Sequence, residues 1–131
     1  MMKKLLCIFA ATLLLFSCAT DDDNTTENLL TGTWRLTATL LDPGDGSGTF
    51  LPIDSDADLD FSADGVTVTS NVSFCTMSEV FSATYSASAG TIIIDECGAL
   101  SPFTIFFEIQ ENELILSYPC IEACLYKYVK P

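Results

Sequence analysis

One ten-residue stretch, 32–41, restricts the fold of this chain more than any other. It reads Gly32-Thr33-Trp34-Arg35-Leu36-Thr37-Ala38-Thr39-Leu40-Leu41, so that Trp34, Leu36, Ala38 and Leu40 alternate with Arg35, Thr37 and Thr39. A period of two, apolar on one face and polar on the other, belongs to a strand that covers a core with one side only. Trp34 is the only tryptophan of the 131 residues and is large enough to occupy the centre of a small core. The pattern then recurs at 57–61, 66–72, 80–85, 91–94, 103–109, 113–117 and 125–130, between segments rich in Gly, Pro, Asp and Ser. The expectation is eight strands and no helix beyond the apolar run near the N-terminus.

Connection lengths carry this further. Segments 62–65, 86–90 and 110–112 are short, whereas 42–56, 73–79, 96–102 and 118–123 are long. In an antiparallel meander successive connections alternate between the two ends of the sheet, which puts every short turn at one end and every long loop at the other. The predicted fold class is all-β: an eight-stranded antiparallel up-and-down barrel, closure of which removes exposed edges, with a two-sheet β-sandwich as the alternative. Alternation further predicts an interior built from Leu59, Val66, Val68, Tyr85, Ile92, Ile94 and Leu114 together with Trp34, Leu36, Phe61, Phe81, Phe103, Ile105, Phe107 and Leu116. The last eight are the candidates for lining a ligand cavity, should the barrel hold one. Bulky side chains in so small a barrel favour a filled core.

Upstream, the chain starts Met1-Met2-Lys3-Lys4 and continues with an apolar run, 5–16, that ends at Ser17-Cys18. A basic start and a short apolar core make an export signal, too short to span a bilayer permanently. Leu15-Phe16-Ser17-Cys18 resembles the lipobox of bacterial lipoproteins. That resemblance implies removal of residues 1–17, acylation of Cys18 by palmitate-type chains, and a place in the cell envelope. Ala19 directly after Cys18 resembles the pattern of lipoproteins sent to the outer membrane, on either its periplasmic or its cell-surface face. Residues 18–28, with Asp21, Asp22, Asp23 and Glu27, are too polar and like-charged to order themselves and are expected to be a flexible tether. The folded domain is expected over 29–131.

Within that domain, Gly32-Thr33-Trp34 at the head of an eight-strand meander resembles the lipocalin-like domains of bacterial lipoproteins. The resemblance implies a barrel with a binding function at its open end. Loss of Lys3 and Lys4 with the leader would leave Arg35, Lys127 and Lys130 against eighteen acidic residues. Such a surface repels phosphate backbones, so a nucleic-acid partner is excluded and membrane attachment falls to the acyl chains.

Of six cysteines, Cys7 belongs to the leader and Cys18 to the anchor, leaving Cys75, Cys97, Cys120 and Cys124. Loop parity puts all four at the same end. An even count in an exported chain implies two disulfides; three pairings are possible, and Cys75 with Cys97 and Cys120 with Cys124 is favoured. A zinc site is disfavoured by the missing paired knuckles.

Asp54, Asp56, Asp58 and Asp60 recur every second residue and read as one solvated face, with calcium, joined by Asp42 and Asp45, as the rival reading. The chain contains no histidine, which removes the commonest general base and transition-metal ligand. No catalytic residue, cofactor or metal is expected, and the protein reads as a non-enzyme. It is expected to act as a monomer that binds a small hydrophobic ligand at the open end. The alternative is a structural or interaction lipoprotein with a filled core whose loops, including Phe50, Leu51 and Leu100, contact a protein or glycan.

Overall fold

The computed structural model describes residues 22–100 and 102–131; the leader, Cys18 and the start of the tether lie outside them. Nine strands follow one short helix: α1 (Asp22–Leu30), β1 (Gly32–Leu41), β2 (Leu51–Pro52), β3 (Asp58–Phe61), β4 (Thr67–Ser70), β5 (Ser82–Ser86), β6 (Thr91–Ile94), β7 (Phe103–Gln110), β8 (Glu113–Tyr118) and β9 (Cys124–Val129), with a 3₁₀ turn at Gly98–Leu100. Each of β3 to β8 pairs antiparallel with the next, β1 pairs with β3, and β9 returns to β1 over Arg35 to Leu41. That last pairing closes an eight-stranded up-and-down barrel and sets the sandwich alternative aside. The closed barrel has the lipocalin-like architecture.

The two-residue strand β2 is additional. It pairs with β1 at Ala38 and Thr39, on the edge that β3 uses from Gly32 to Arg35. The intervening residues 54–56 loop out, framed by Ile53 N–H donating to Thr37 O and Leu36 N–H donating to Ala57 O, both at 2.9 Å. On the opposite edge the β1–β9 register slips between Leu36 and Ala38. Residues directly across an antiparallel pair share a face, and a slip of one residue exchanges faces. Leu36 therefore goes with inward Tyr128, whereas Ala38 and Leu40 lie opposite Lys127 and Leu125. The unbroken alternation expected for residues 34–40 holds for Trp34 and Leu36 and is interrupted by this bulge.

Two corrections to the expected interior have local causes. Val66 is exposed because β4 starts one residue later: Asp64 Oδ1 accepts both Val66 N–H and Thr67 N–H at 2.8 Å, holding Val66 in the turn. Phe81 is 44% exposed although it is in phase with buried Ala83 and Tyr85, because β5 begins at Ser82 and Phe81 stands at the rim beyond the covered height.

Helix α1 occupies part of the stretch read as a flexible tether. It opens at Asp22. Thr31 closes it, its N–H and Oγ1 both bonding Glu27 O at 3.1 and 2.9 Å. Gly32 follows with φ 109°, a conformation that turns the chain from helix into strand and suits glycine. The helix ends in Leu30, fully buried, whose carbonyl accepts Trp34 Nε1–H at 2.7 Å. Lys130 lies over the Trp34 ring at 5.1 Å and donates to Thr31 O at 2.9 Å. Helix, tryptophan and C-terminal strand thus plug one end of the barrel.

That end also carries the short turns. Gln110 lies opposite Glu113, leaving a two-residue turn in which Glu111 takes φ 56°, as such hairpins demand. Gly90 has φ 63°, and a Cβ there would meet Phe107 O at 2.8 Å; only glycine lets this turn close onto β7. Above the plug, Phe61 packs edge-on against Tyr85 at 5.0 Å and Phe107 at 5.9 Å. Val68, Ile92, Ile94, Ile105, Leu114 and Leu116 fill the remaining space with no exposed surface to speak of.

Several turns are set by ionised aspartates. Asp42 accepts the N–H groups of Gly44, Gly46 and Gly48 at 2.7–3.0 Å, and Asp64 adds Thr67 Oγ1 at 2.8 Å. Backbone N–H donors hold both carboxyls below the usual carboxylate range. A depressed folded pKa contributes stability above the unfolded value, lost as pH falls through the folded one. The Asp64→Ala variant should therefore be less stable than the parent at pH 7, with the gap closing below about pH 4. Thermal melts of both proteins from pH 7 to pH 2 check this; a gap that stays constant with pH would show that the charge of Asp64 contributes nothing.

Candidate functional site

The end opposite the plug carries the long loops. Cys75 bonds Cys97 across the β4–β5 and β6–β7 loops, and Cys120 bonds Cys124 around the β8–β9 loop. This is the favoured pairing; parity accounts for all four residues emerging at one rim, and the structure selects among the three pairings that parity allows. Within the β4–β5 loop, Ser73 acts as a hub. Its Oγ accepts Cys75 N–H at 3.2 Å and Val80 N–H at 3.0 Å, and faces the carbonyls of Cys75 and Ser78 at 2.9 and 2.8 Å. Phe74 N–H donates to Val80 O at 2.8 Å, which folds the loop inward and buries Phe74.

Beneath these loops lies a cavity of about 410 Å³. Its wall is formed by Leu36 of β1, Ala57, the segment 72–77, Cys97, Ala99, Phe103 of β7, Tyr118 and Cys120, and Tyr126 and Tyr128 of β9. None of these lining residues is an acid, a lysine or an arginine. The aromatic side is ordered: Tyr118 meets Tyr126 edge-on at 4.8 Å and Phe103 at 6.4 Å. Burial pushes the Tyr118 hydroxyl up to about 12, with a smaller push from Tyr126. Burial likewise raises Tyr128, helped by Tyr118 and Tyr126.

Of the eight residues expected to line a cavity, the structure brings Leu36 and Phe103 to it. Phe61, Ile105, Phe107 and Leu116 are buried in the packed layer. Trp34 sits at the plugged end, and Phe81 stands at the rim. The tyrosines were legible and missed: Tyr118 continues the alternation of Leu114 and Leu116, and Tyr126 alternates with Tyr128. Phe74, by contrast, carries no periodic signal and is placed by the Ser73 hub.

A second depression, about 520 Å³, lies outside the plug and is bordered by Trp34, Leu29, Glu111, Asn112, Glu113 and Lys130. Its charged border and position on the closed end make it a poorer host for an apolar molecule than the mouth.

The aspartate run divides. Asp58 takes Arg35 Nε and Nη2 on its two oxygens at 2.8 Å each, Asp60 accepts Thr33 Oγ1 at 2.8 Å, and Asp54 and Asp56 are exposed in the looped segment. The four do not share one face, and Asp42 spends its oxygens on its own loop. Among the described residues no group of three or more His, Cys, Asp or Glu is arranged to hold a metal ion, and no helix is long and apolar enough to cross a membrane.

Around the mouth, Leu41, Leu51, Met77 and Ile121 point into solvent, Met77 at 90% exposure. Phe50 is half-buried under Lys127, 4.4 Å from its ring. Comparison with protein-family models, with curated proteins and with solved structures finds no match to this chain.

Proposed function

We propose that this chain is a lipid-anchored, extracytoplasmic binding protein of the outer membrane that takes a small hydrophobic ligand in the mouth of its barrel. The observation that carries the reading is the 410 Å³ cavity, roofed by disulfide-tied loops and walled by uncharged side chains. Its size falls at the lower end of the usual range for ligand sites. Two disulfides suit a chain exported to an oxidising compartment. Binding fits the wall better than catalysis does, since no carboxylate, histidine or lysine lines it among the described residues. Helix α1 enters at the plugged end, so an anchor at Cys18 would leave the mouth facing away from the bilayer.

Native mass spectrometry of the exported chain, exposed to an envelope extract of its host, tests both halves. The expected masses are an acylated N-terminal Cys18 and a retained adduct that Phe103→Glu abolishes. An unmodified N-terminus would sink the anchor, and a ligand-free mass would sink the carrier.

A second reading has its own support in the apolar rim. Leu41 at the end of β1, Leu51 on β2, and Met77 and Ile121 on two loops expose large side chains, as a surface that docks a protein or glycan would. Should the barrel emerge empty, cross-linking from Met77 is the next experiment.

A further inference from the structure

Resting on the mouth as the ligand site, the chemistry of its wall narrows what can enter. Charge is the first filter. An anionic head would meet no cation there, because Lys127 lies on the outside of β9 with its Nζ 3.0 Å from Glu113, and eighteen acids on the chain repel it from a distance. A cation would be drawn by that field but would shed its water among rings and thioether with no carboxylate to replace it.

Hydrogen bonding is the second filter. Tyr128 is 4% exposed and Tyr118 half-buried, yet among the described residues neither hydroxyl, nor that of Tyr126, has a hydrogen-bond partner. The contrast with Tyr85 is direct, since its hydroxyl donates to Ser62 O at 3.1 Å. Three phenol side chains line one apolar space, and each hydroxyl has a proton to donate. Hydroxyls that pair with no protein group and keep accessible surface are free to bond a molecule that enters the cavity.

We infer that the mouth takes an uncharged, largely apolar molecule bearing a carbonyl or ether oxygen, which the hydroxyls of Tyr118, Tyr126 and Tyr128 recognise. The apolar body lies against Leu36, Phe74 and Phe103, and the oxygen faces β8 and β9. Tyrosine is suited to the task because it supplies ring contact and a donor from one side chain.

Four probes of one skeleton separate the terms: 2-acetylnaphthalene, 2-ethylnaphthalene, 2-naphthoate and trimethyl(2-naphthyl)ammonium, each measured by equilibrium dialysis against the exported chain. Both ions should bind at least about tenfold more weakly than the ketone. Substituting Tyr118→Phe, Tyr126→Phe and Tyr128→Phe together should weaken the ketone about five- to tenfold, the worth of one ordinary hydrogen bond, while changing the hydrocarbon less than about twofold. Thermal melts should show these variants as stable as the parent, because the hydroxyls removed bond nothing in the protein. Ketone and hydrocarbon weakening together, or either ion binding best, would overturn the inference and leave the carrier reading intact. Failure of all four probes to bind the parent would remove the mouth as a ligand site and the inference with it.

Discussion

Phe61→Ala should destabilise the barrel by about 3–5 kcal/mol, the cost of emptying a packed site of one large ring. Phe61 is 1% exposed and is the shared partner of Tyr85 and Phe107 in the layer above the plug. Neither ring can move in to fill the gap, because Tyr85 is tied to Ser62 O and Phe107 belongs to the middle of β7. A small domain has only about 5–15 kcal/mol in total, so the variant should unfold at a much lower urea midpoint with an unchanged slope. Phe81→Ala is the matched control. By alternation alone the two residues are equivalent, but Phe81 is 44% exposed at the rim and should cost under about 1 kcal/mol. Equal losses at the two positions would refute the assigned packing.

Removing the Cys75–Cys97 bridge by paired Cys→Ser substitution should cost about 3 kcal/mol, against about 2 kcal/mol for Cys120–Cys124. The bridges span 22 and 4 residues of sequence, and cross-linking a longer loop removes more freedom from the unfolded chain. The first bridge also forms part of the cavity wall through both its cysteines. Its loss should therefore weaken capture of an apolar probe, whereas Cys120–Cys124, which contributes Cys120 to the edge, should matter less. Urea titrations of the two double variants, with dialysis binding alongside, decide this. A larger loss from the four-residue bridge would mean that loop entropy is not what the disulfides supply.

How far such effects could be foreseen depends on the range of the interactions involved. The tight ends of β3, β5 and β7 were legible because turns are local: Asp64 and Gly65 set one, Gly90 another. The packed layer was legible where a strand keeps its period, as for Phe61, Ile92, Ile105, Leu114 and Leu116. It failed at Val66 and Phe81, one residue beyond the ends of β4 and β5, since alternation says which face a residue takes and not how high the barrel reaches. It failed again after Leu36, where the slip against β9 exchanges faces midway along β1.

Helix α1 shows the same division. Asp22 to Asn28 is polar and has no apolar stripe of its own, so nothing local announces a helix. Its order comes from burying Leu30 under the barrel and from the bond between Trp34 Nε1 and the Leu30 carbonyl, both of them contacts with residues further along the chain. Phe74 is a similar case at the mouth, drawn inward by the Ser73 hydroxyl and the tie to Cys97.

By itself, then, the sequence determined the strand class, the order of eight strands and the end at which the loops and the four domain cysteines gather, because periodicity, turn chemistry and loop length are properties of neighbouring residues; which cysteine bonds which was fixed by the tertiary structure. Tertiary structure alone decided that the plugged end is solid and the mouth hollow, and that tyrosines rather than Trp34 or Phe61 wall the cavity. The volume left inside a closed barrel depends on how strands of unequal length and slipped register meet across it, and no single stretch of chain contains that information.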